Sequence, residues 1–235
     1  MLCSSELCES SASSESPLCK STCLHAFVLG GKCTIHMQNL RPFVAELLGT
    51  FLLTLAVSLS IVMPSVIPTP AIAGLTLMIL VYVLGPVSGA HVNPAVTVGL
   101  WCIGKMTPKS AIGYIIAQII GALLVGPFLT LLQIIPVDAG ALEGLTLGIG
   151  EALGAGLLVA GVCSVVYGKS SGAATGVTVG GSLFLGATLA SSVGNGIVNP
   201  AVAIGLRSVS LTYLLAPLVG GLIFAEVYRY LVKGK

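Results

Sequence analysis

Long apolar stretches, separated by short polar or Gly/Pro-containing segments, dominate the chain after its first forty residues. A helix needs about 20 apolar residues to cross the hydrocarbon core of a bilayer. Six stretches meet this length: 42–63, 69–87, 108–135, 144–167, 172–192 and 210–232. The pattern predicts an all-α membrane protein with six transmembrane helices.

Two further apolar segments, 93–104 and 199–206, are too short to cross a bilayer. Each begins with Asn-Pro-Ala, at Asn93, Pro94 and Ala95 and again at Asn199, Pro200 and Ala201. Short apolar segments inside a membrane-spanning sequence are typical of half-helices that enter the membrane and end within it. We expect two re-entrant half-helices beside the six spans.

The composition excludes a soluble protein. Of the 235 residues, 55% are hydrophobic and only 8% are charged, whereas soluble domains carry about 25% charged residues. The sequence also lacks a nucleophile elbow, a phosphate-binding glycine loop and a metal-ligand helix motif. We therefore expect no enzyme activity, no cofactor or metal, and no nucleic-acid partner.

The basic residues are placed asymmetrically around the predicted spans. If both termini are cytoplasmic, nine of the ten Lys and Arg residues lie on the cytoplasmic side and only Arg207 lies outside. The positive-inside rule therefore predicts cytoplasmic termini for this multi-pass chain. Residues 1–40, which are Ser-rich and hold five of the seven cysteines, are expected to form a disordered cytoplasmic tail before a channel domain at 41–232.

The channel domain has two halves with the same layout, 41–135 and 144–232. Glu46 lies 47 residues before Asn93 (93 − 46), and Glu151 lies 48 before Asn199 (199 − 151). The third span of each half contains a pair of small residues, Gly121-Ala122 or Gly220-Gly221. Because each half has three spans, the second must be inverted relative to the first, which predicts an inverted repeat whose half-helices meet at mid-membrane.

The repeated motif has a simple physical interpretation. Asn caps a helix through its side-chain oxygen, and Pro suits the next position because no N–H is needed there. We expect the amide NH2 groups of Asn93 and Asn199 to remain free as donors in a pore. The positive dipole ends of both half-helices would oppose cations at the same point.

The backbone ahead of each motif must run extended at membrane depth, which is tolerated where it lines water. The predicted pore-lining carbonyls are those of Gly89, Ala90, His91, Asn195, Gly196 and Ile197. Glu46 and Glu151 are expected to brace the reverse side of these loops, since an intramembrane carboxylate needs partners. A neutral His91 is expected to brace its loop in the same way.

These segments resemble the aquaporin, or major intrinsic protein, family. The similarity is carried by Ala-Glu-Leu-Leu-Gly-Thr-Phe at 45–51, by Ser-Gly-Ala-His-Val-Asn-Pro-Ala-Val-Thr at 88–97 and by Ala-Gln-Ile-Ile-Gly-Ala at 117–122. The resemblance implies an aquaporin-like fold and a homotetramer in membrane lipid, with one pore in each protomer. It also implies passage of water or small neutral solutes.

The family resemblance places a selectivity filter at Ala73, Ala187, Gly196 and Val202. The last position holds an arginine in the family pattern, and that arginine is absent here. Two alanines and a valine imply a wider, less polar constriction. Arg207 lies eight residues beyond Asn199, which favours a role outside the filter.

The leading hypothesis is a passive channel for water or small neutral solutes such as glycerol, urea, ammonia or hydrogen peroxide. Two alternatives stay open. The chain could be a non-conducting structural or adhesive protein of the same fold, or a secondary transporter, because inverted repeats with half-helices also serve transporters.

Overall fold

Apolar α-helices joined by short loops make up the computed structural model, which describes residues 40–63 and 66–233. Within these residues, six helical segments are long and apolar enough to cross a membrane. They are α1 (Arg41–Val62), α2 (Thr69–Ser88), α4 with α5 (Pro108–Leu123 and Val125–Leu131), α6 (Leu145–Val166), a 3-10 turn with α7 (Gly172–Ala174 and Thr175–Ser191) and α9 (Leu211–Lys233). The predicted fold class is confirmed, while the predicted tail lies outside the described residues apart from Leu40.

The two short predicted segments are also helical. They are α3 (Pro94–Cys102) and α8 (Pro200–Gly205). Predicted and observed boundaries agree to within a few residues, and the largest difference is at the third span. That span ends at Leu131 and not at residue 135. The helix stops there because Gln133 adopts a left-handed φ of +60°, which is incompatible with a right-handed helix.

The helices pack in two similar sets. In the first half α1 packs against α2 and α4, and in the second half α6 packs against α7 and α9. The halves join through α2 and α7, and each half-helix crosses to the other set: α3 packs on α9, and α8 packs on α4. The half-helices are therefore held by the opposite half of the chain.

The small-residue pairs of the third spans permit this packing. A Cβ on Gly121 would overlap the Leu47 carbonyl of α1, and a Cβ on Gly220 would overlap the Ala152 carbonyl of α6. The next residue in the second pair, Gly221, packs against α3 of the other half. Small residues let helix backbones approach closely in lipid, so each pair contacts two helices at once.

The distribution of polarity suits a membrane protein. Large apolar side chains are exposed around the outside of the bundle, for example Ile79, Ile112 and Leu215. Two carboxylates, Glu46 and Glu151, are instead fully buried. An apolar exterior, with the few buried charges kept inside the bundle, is the arrangement expected for a multi-pass integral membrane protein.

Candidate functional site

The two Asn-Pro-Ala segments cap the two half-helices in the same way. Asn93 and Asn199 have extended backbones, with φ of −156° and −149°. The Oδ1 atom of Asn93 accepts a hydrogen bond from the Ala95 N–H at 2.8 Å, and that of Asn199 accepts one from the Ala201 N–H at 3.0 Å. Each asparagine thus satisfies a first-turn donor that the helix itself leaves unpaired.

The amide nitrogens of these asparagines join the two halves of the chain. Nδ2 of Asn93 donates to the Val198 carbonyl at 3.0 Å, and Nδ2 of Asn199 donates to the Val92 carbonyl at 2.9 Å. The expectation of free NH2 groups is therefore wrong for one hydrogen of each amide. The second hydrogen of each group has no partner among the described residues, because an amide NH2 has two donors and only one of them is used.

Contrary to expectation, the backbone ahead of each motif is not extended throughout, and the role of Val92 and Val198 in it was missed by the sequence reasoning. Both adopt a left-handed φ, +41° and +48°, which is rare for a β-branched residue and costs about 1–3 kcal/mol. Each valine lies directly before a motif asparagine, and its carbonyl accepts the bond from the opposite asparagine. The repeated Val-Asn-Pro-Ala sequence was the available signal.

Residues 89–92 and 195–198, directly ahead of the two motifs, are the first and second pore loops. Glu46 accepts four hydrogen bonds from the first pore loop and the residues around it. Its Oε1 atom accepts from the Ser88 hydroxyl at 2.7 Å and from the His91 N–H at 2.9 Å. Its Oε2 atom accepts from the Val92 N–H at 2.7 Å and from Nε2 of Gln118 at 2.8 Å. The carboxylate of α1 thereby connects the loop to α4.

Glu151 has the corresponding place in the second half, with fewer partners. Its two oxygens accept from the N–H groups of Ile197 at 2.9 Å and Val198 at 2.6 Å. The second half has no counterpart to the Gln118 bond. At that position of the repeat it has Pro217, whose side chain carries no donor.

Two tyrosines of the third spans also hold the pore loops. The Tyr114 hydroxyl donates to the Ser88 carbonyl at 2.9 Å, and the Tyr213 hydroxyl accepts from the Asn195 N–H at 3.2 Å. Tyr213 lies 99 residues after Tyr114 (213 − 114), the separation that also relates Gly220 to Gly121. The repeat spacing could therefore have identified this pair, which the sequence reasoning did not name.

Two cavities approach the motifs from opposite ends of the bundle. The upper cavity, about 450 Å³, is lined by Thr69 and Ala73 at the start of α2, and the lower cavity, about 350 Å³, is lined by Gly85 and Pro86 near its end. The six predicted carbonyl residues all line them: Asn195, Gly196 and Ile197 the upper cavity, and Gly89, Ala90 and His91 the lower. Asn199 lies in the wall of the upper cavity.

The four residues assigned to the filter by family resemblance come together in the upper cavity. Ala73, Ala187, Gly196 and Val202 all line it, from α2, α7, the second pore loop and α8. Arg207 is exposed and is not one of the residues that line this cavity. The side chains from α2, α7 and α8 at this level are therefore apolar.

Among the described residues, the lining of the two cavities carries no acidic side chain and no Lys or Arg. The titratable groups in their walls are His91 and Tyr82, both in the lower cavity. The His91 Nδ1 atom lies 3.2 Å from the Thr97 hydroxyl, and its ring packs edge-on against Tyr114. Within the part of the chain that the structure describes, the two cavities therefore offer carbonyl acceptors and amide donors but no carboxylate, ammonium or guanidinium partner for an ion.

Comparison with known proteins gives a consistent result. A family model described as "Major intrinsic protein" matches residues 34–228. The chain is 31% identical to Aquaporin Z of Photorhabdus laumondii over 83% of this chain and 99% of that protein. It is 30% identical to Aquaporin NIP1-1 of Arabidopsis thaliana, over 83% and 75% of the two chains. Its fold matches the X-ray structure of the aquaglyceroporin from Plasmodium falciparum with a TM-score of 0.64 at 23% identity, covering 83% of this chain and 97% of that one.

Proposed function

We propose that this chain, which belongs to the major intrinsic protein family, is a passive channel. Its wide filter would admit small neutral solutes as well as water. Members of this family are channels and not enzymes, so the expectation of no enzyme activity is confirmed by membership. The relatives named aquaporin, and the aquaglyceroporin of similar fold, support a channel for water or small solutes.

The observation that carries the proposal is the reciprocal pair of amide bonds between the half-helices. Asn93 and Asn199 each donate one hydrogen bond to the opposite pore loop. This bond fixes the orientation of the amide, and the second hydrogen of the NH2 group stays available as a donor. The two helix N-termini add about +0.5 charge each at this point. A neutral solute with an acceptor oxygen is favoured there, whereas a cation is opposed.

The width of the filter follows from its side chains. Ala73, Ala187 and Val202 are short and apolar, and the family arginine is absent at Val202. Water would pass such a constriction, and so would glycerol, urea, ammonia or hydrogen peroxide. We propose that the Gly196 carbonyl and the Asn199 amide supply the polar contacts on one side.

The remaining expectations belong to the same proposal. Both termini would be cytoplasmic, which places the upper cavity outside the cell or compartment. The channel domain would comprise repeats at 41–135 and 144–232 and would assemble as a homotetramer in lipid. Glu46, Glu151 and His91 would brace the pore loops and take no part in proton transfer.

Stopped-flow swelling and shrinking of liposomes that contain the full chain tests the proposal. We expect rapid, non-saturable flux of water and of at least one small neutral solute. Saturable, ion-dependent flux would indicate a transporter, and the absence of any flux would indicate a structural protein.

A matched pair of variants shows whether flux uses this pore. Ala187→Trp places a large ring in the upper cavity and is expected to reduce flux to the level of empty liposomes. Leu189→Trp adds the same ring two residues later on α7, where Leu189 is exposed and does not line a cavity. Equal flux in the two variants would place the path elsewhere.

A further inference from the structure

The wall of the upper cavity has two levels with different chemistry. The inner level contains Ala73, Ala187 and Val202, which present only methyl groups. One helical turn away on the same helices, Thr69 lies four residues before Ala73 and Ser191 four residues after Ala187. Both also line the cavity.

The helix directions place these two hydroxyls at the mouth. Helices α2 and α7 are antiparallel, because Gly74 faces Phe184 whereas Gly176, earlier on α7, faces Tyr82, later on α2. Thr69 is the first residue of α2 and Ser191 is the last of α7. Both therefore lie farther from the asparagine pair than the alanines, by about 6 Å at 1.5 Å per residue.

The hydroxyls retain hydrogen-bonding capacity. Among the described residues, the Ser191 side chain has no hydrogen-bond partner, and it is exposed in the cavity. The Ser60 hydroxyl donates to the Val57 carbonyl at 2.7 Å and also lies 3.1 Å from the Thr69 hydroxyl. Because Ser60 has a single hydrogen and a hydroxyl oxygen can accept two bonds, the Thr69 oxygen keeps an acceptor site. A hydroxyl can donate one bond and accept two.

Asn195 completes this level from the second pore loop. Its N–H donates to the Tyr213 hydroxyl at 3.2 Å, and its Nδ2 atom donates to the Ala139 carbonyl at 2.9 Å. These two bonds hold the side chain in place while its Oδ1 atom keeps its acceptor sites. Asn195 lines the same cavity.

We propose that Thr69, Ser191 and Asn195 form a polar collar that selects solutes bearing hydroxyl or amide groups before they enter the apolar constriction; the inference rests on the proposed channel function. A polyol or urea must give up several bonds to water at the constriction, and each bond left unmade in an apolar environment is costly. The collar replaces some of them at the point where dehydration begins.

Water depends less on the collar than larger solutes do. A water molecule can keep a bond to the next water in a file, whereas glycerol or urea separates the water molecules ahead of it and behind it. Loss of a collar hydroxyl should therefore reduce solute permeability more than water permeability. The ratio of the two permeabilities is the quantity to measure.

The test compares two neighbouring serines in liposomes that contain the full chain, with glycerol, urea and water as probes. Ser191→Ala removes a hydroxyl that lines the cavity. Ser192→Ala removes one that already donates to the Leu189 carbonyl at 2.7 Å and does not line the cavity. Ser191→Thr keeps the hydroxyl and serves as the rescue variant.

We expect Ser191→Ala to lower the glycerol or urea permeability about three- to tenfold, the usual worth of one hydrogen bond in a rate, with water permeability changed less than about twofold. Ser192→Ala and Ser191→Thr should retain the wild-type ratio. An unchanged or higher solute permeability in Ser191→Ala would overturn the collar alone, and so would an equal loss of water and solute. A wild-type chain that passes no solute would overturn both the collar and the wide-filter proposal.

Discussion

The buried carboxylate of Glu151 provides the sharpest test of how the second pore loop is held. Glu151→Ala removes the acceptor of two N–H groups, those of Ile197 and Val198. Glu151 is fully buried, so water does not replace the lost bonds. Charge-assisted hydrogen bonds contribute about 1.5–3 kcal/mol each, and the two together about 3–6 kcal/mol.

Thermal unfolding of the purified chain in detergent measures this effect. A chain of this size loses about 2–4 °C of Tm per kcal/mol, so the Tm of Glu151→Ala should fall by at least about 6 °C. Water flux in liposomes should fall as well, since Val198 accepts the bond from Asn93 and its loop would no longer be held.

Glu143 offers a matched control because it also accepts two hydrogen bonds, from the Leu211 N–H and the Thr212 hydroxyl, but is exposed. The bond from the Thr212 hydroxyl is the largest of the effects that lower the pKa of Glu143. The contribution of this carboxylate is therefore present at neutral pH and is lost as the pH falls through its lowered pKa. Solvent competes for both bonds, so Glu143→Ala should change the Tm far less. A Tm of Glu151→Ala within about 2 °C of the wild type, or an equal effect of the two variants, would refute the bracing role.

Three further variants test the filter, the asparagine pair and the helix packing. Val202→Arg should narrow the filter and lower the permeability of solutes larger than water, measured by stopped flow; unchanged solute flux would show that the filter is misplaced. Asn93→Asp keeps the capping oxygen but replaces an amide donor with negative charge, so we expect lower water flux and a cation current in planar bilayers, and the absence of both changes would contradict the role of the amide. Gly220→Ala should destabilise the fold by about 1–3 kcal/mol through overlap with the Ala152 carbonyl, seen as a lower Tm. Gly181→Ala, at a helical position where a Cβ meets no atom within 4 Å, is the control and should not lower it.

Much of the architecture could be predicted because the signals are local. A run of about 20 apolar residues indicates a span wherever it occurs, and the capping of α3 by Asn93 depends only on a residue and the turn that follows it. The need of Glu46 and Glu151 for partners followed from the cost of a carboxylate in a membrane. The inverted repeat followed from counting spans.

The missed features involve contacts between residues far apart in the chain. The bond from Asn93 to Val198 spans 105 residues and that from Asn199 to Val92 spans 107. Nothing in the sequence around either asparagine indicates which distant carbonyl accepts its hydrogen bond. The Asn195 bond to Tyr213 depends likewise on how α9 packs beside the second pore loop.

By itself, the sequence determined the six spans, the two capped half-helices and the presence of valine at position 202. It did so because hydropathy, capping and side-chain identity are properties of neighbouring residues. Only the tertiary structure decided that each asparagine amide donates one hydrogen bond to the opposite pore loop. The same holds for the placement of Thr69, Ser191 and Asn195 in the wall of one cavity. These relations depend on the crossing of each half-helix to the other half of the chain, which packing determines.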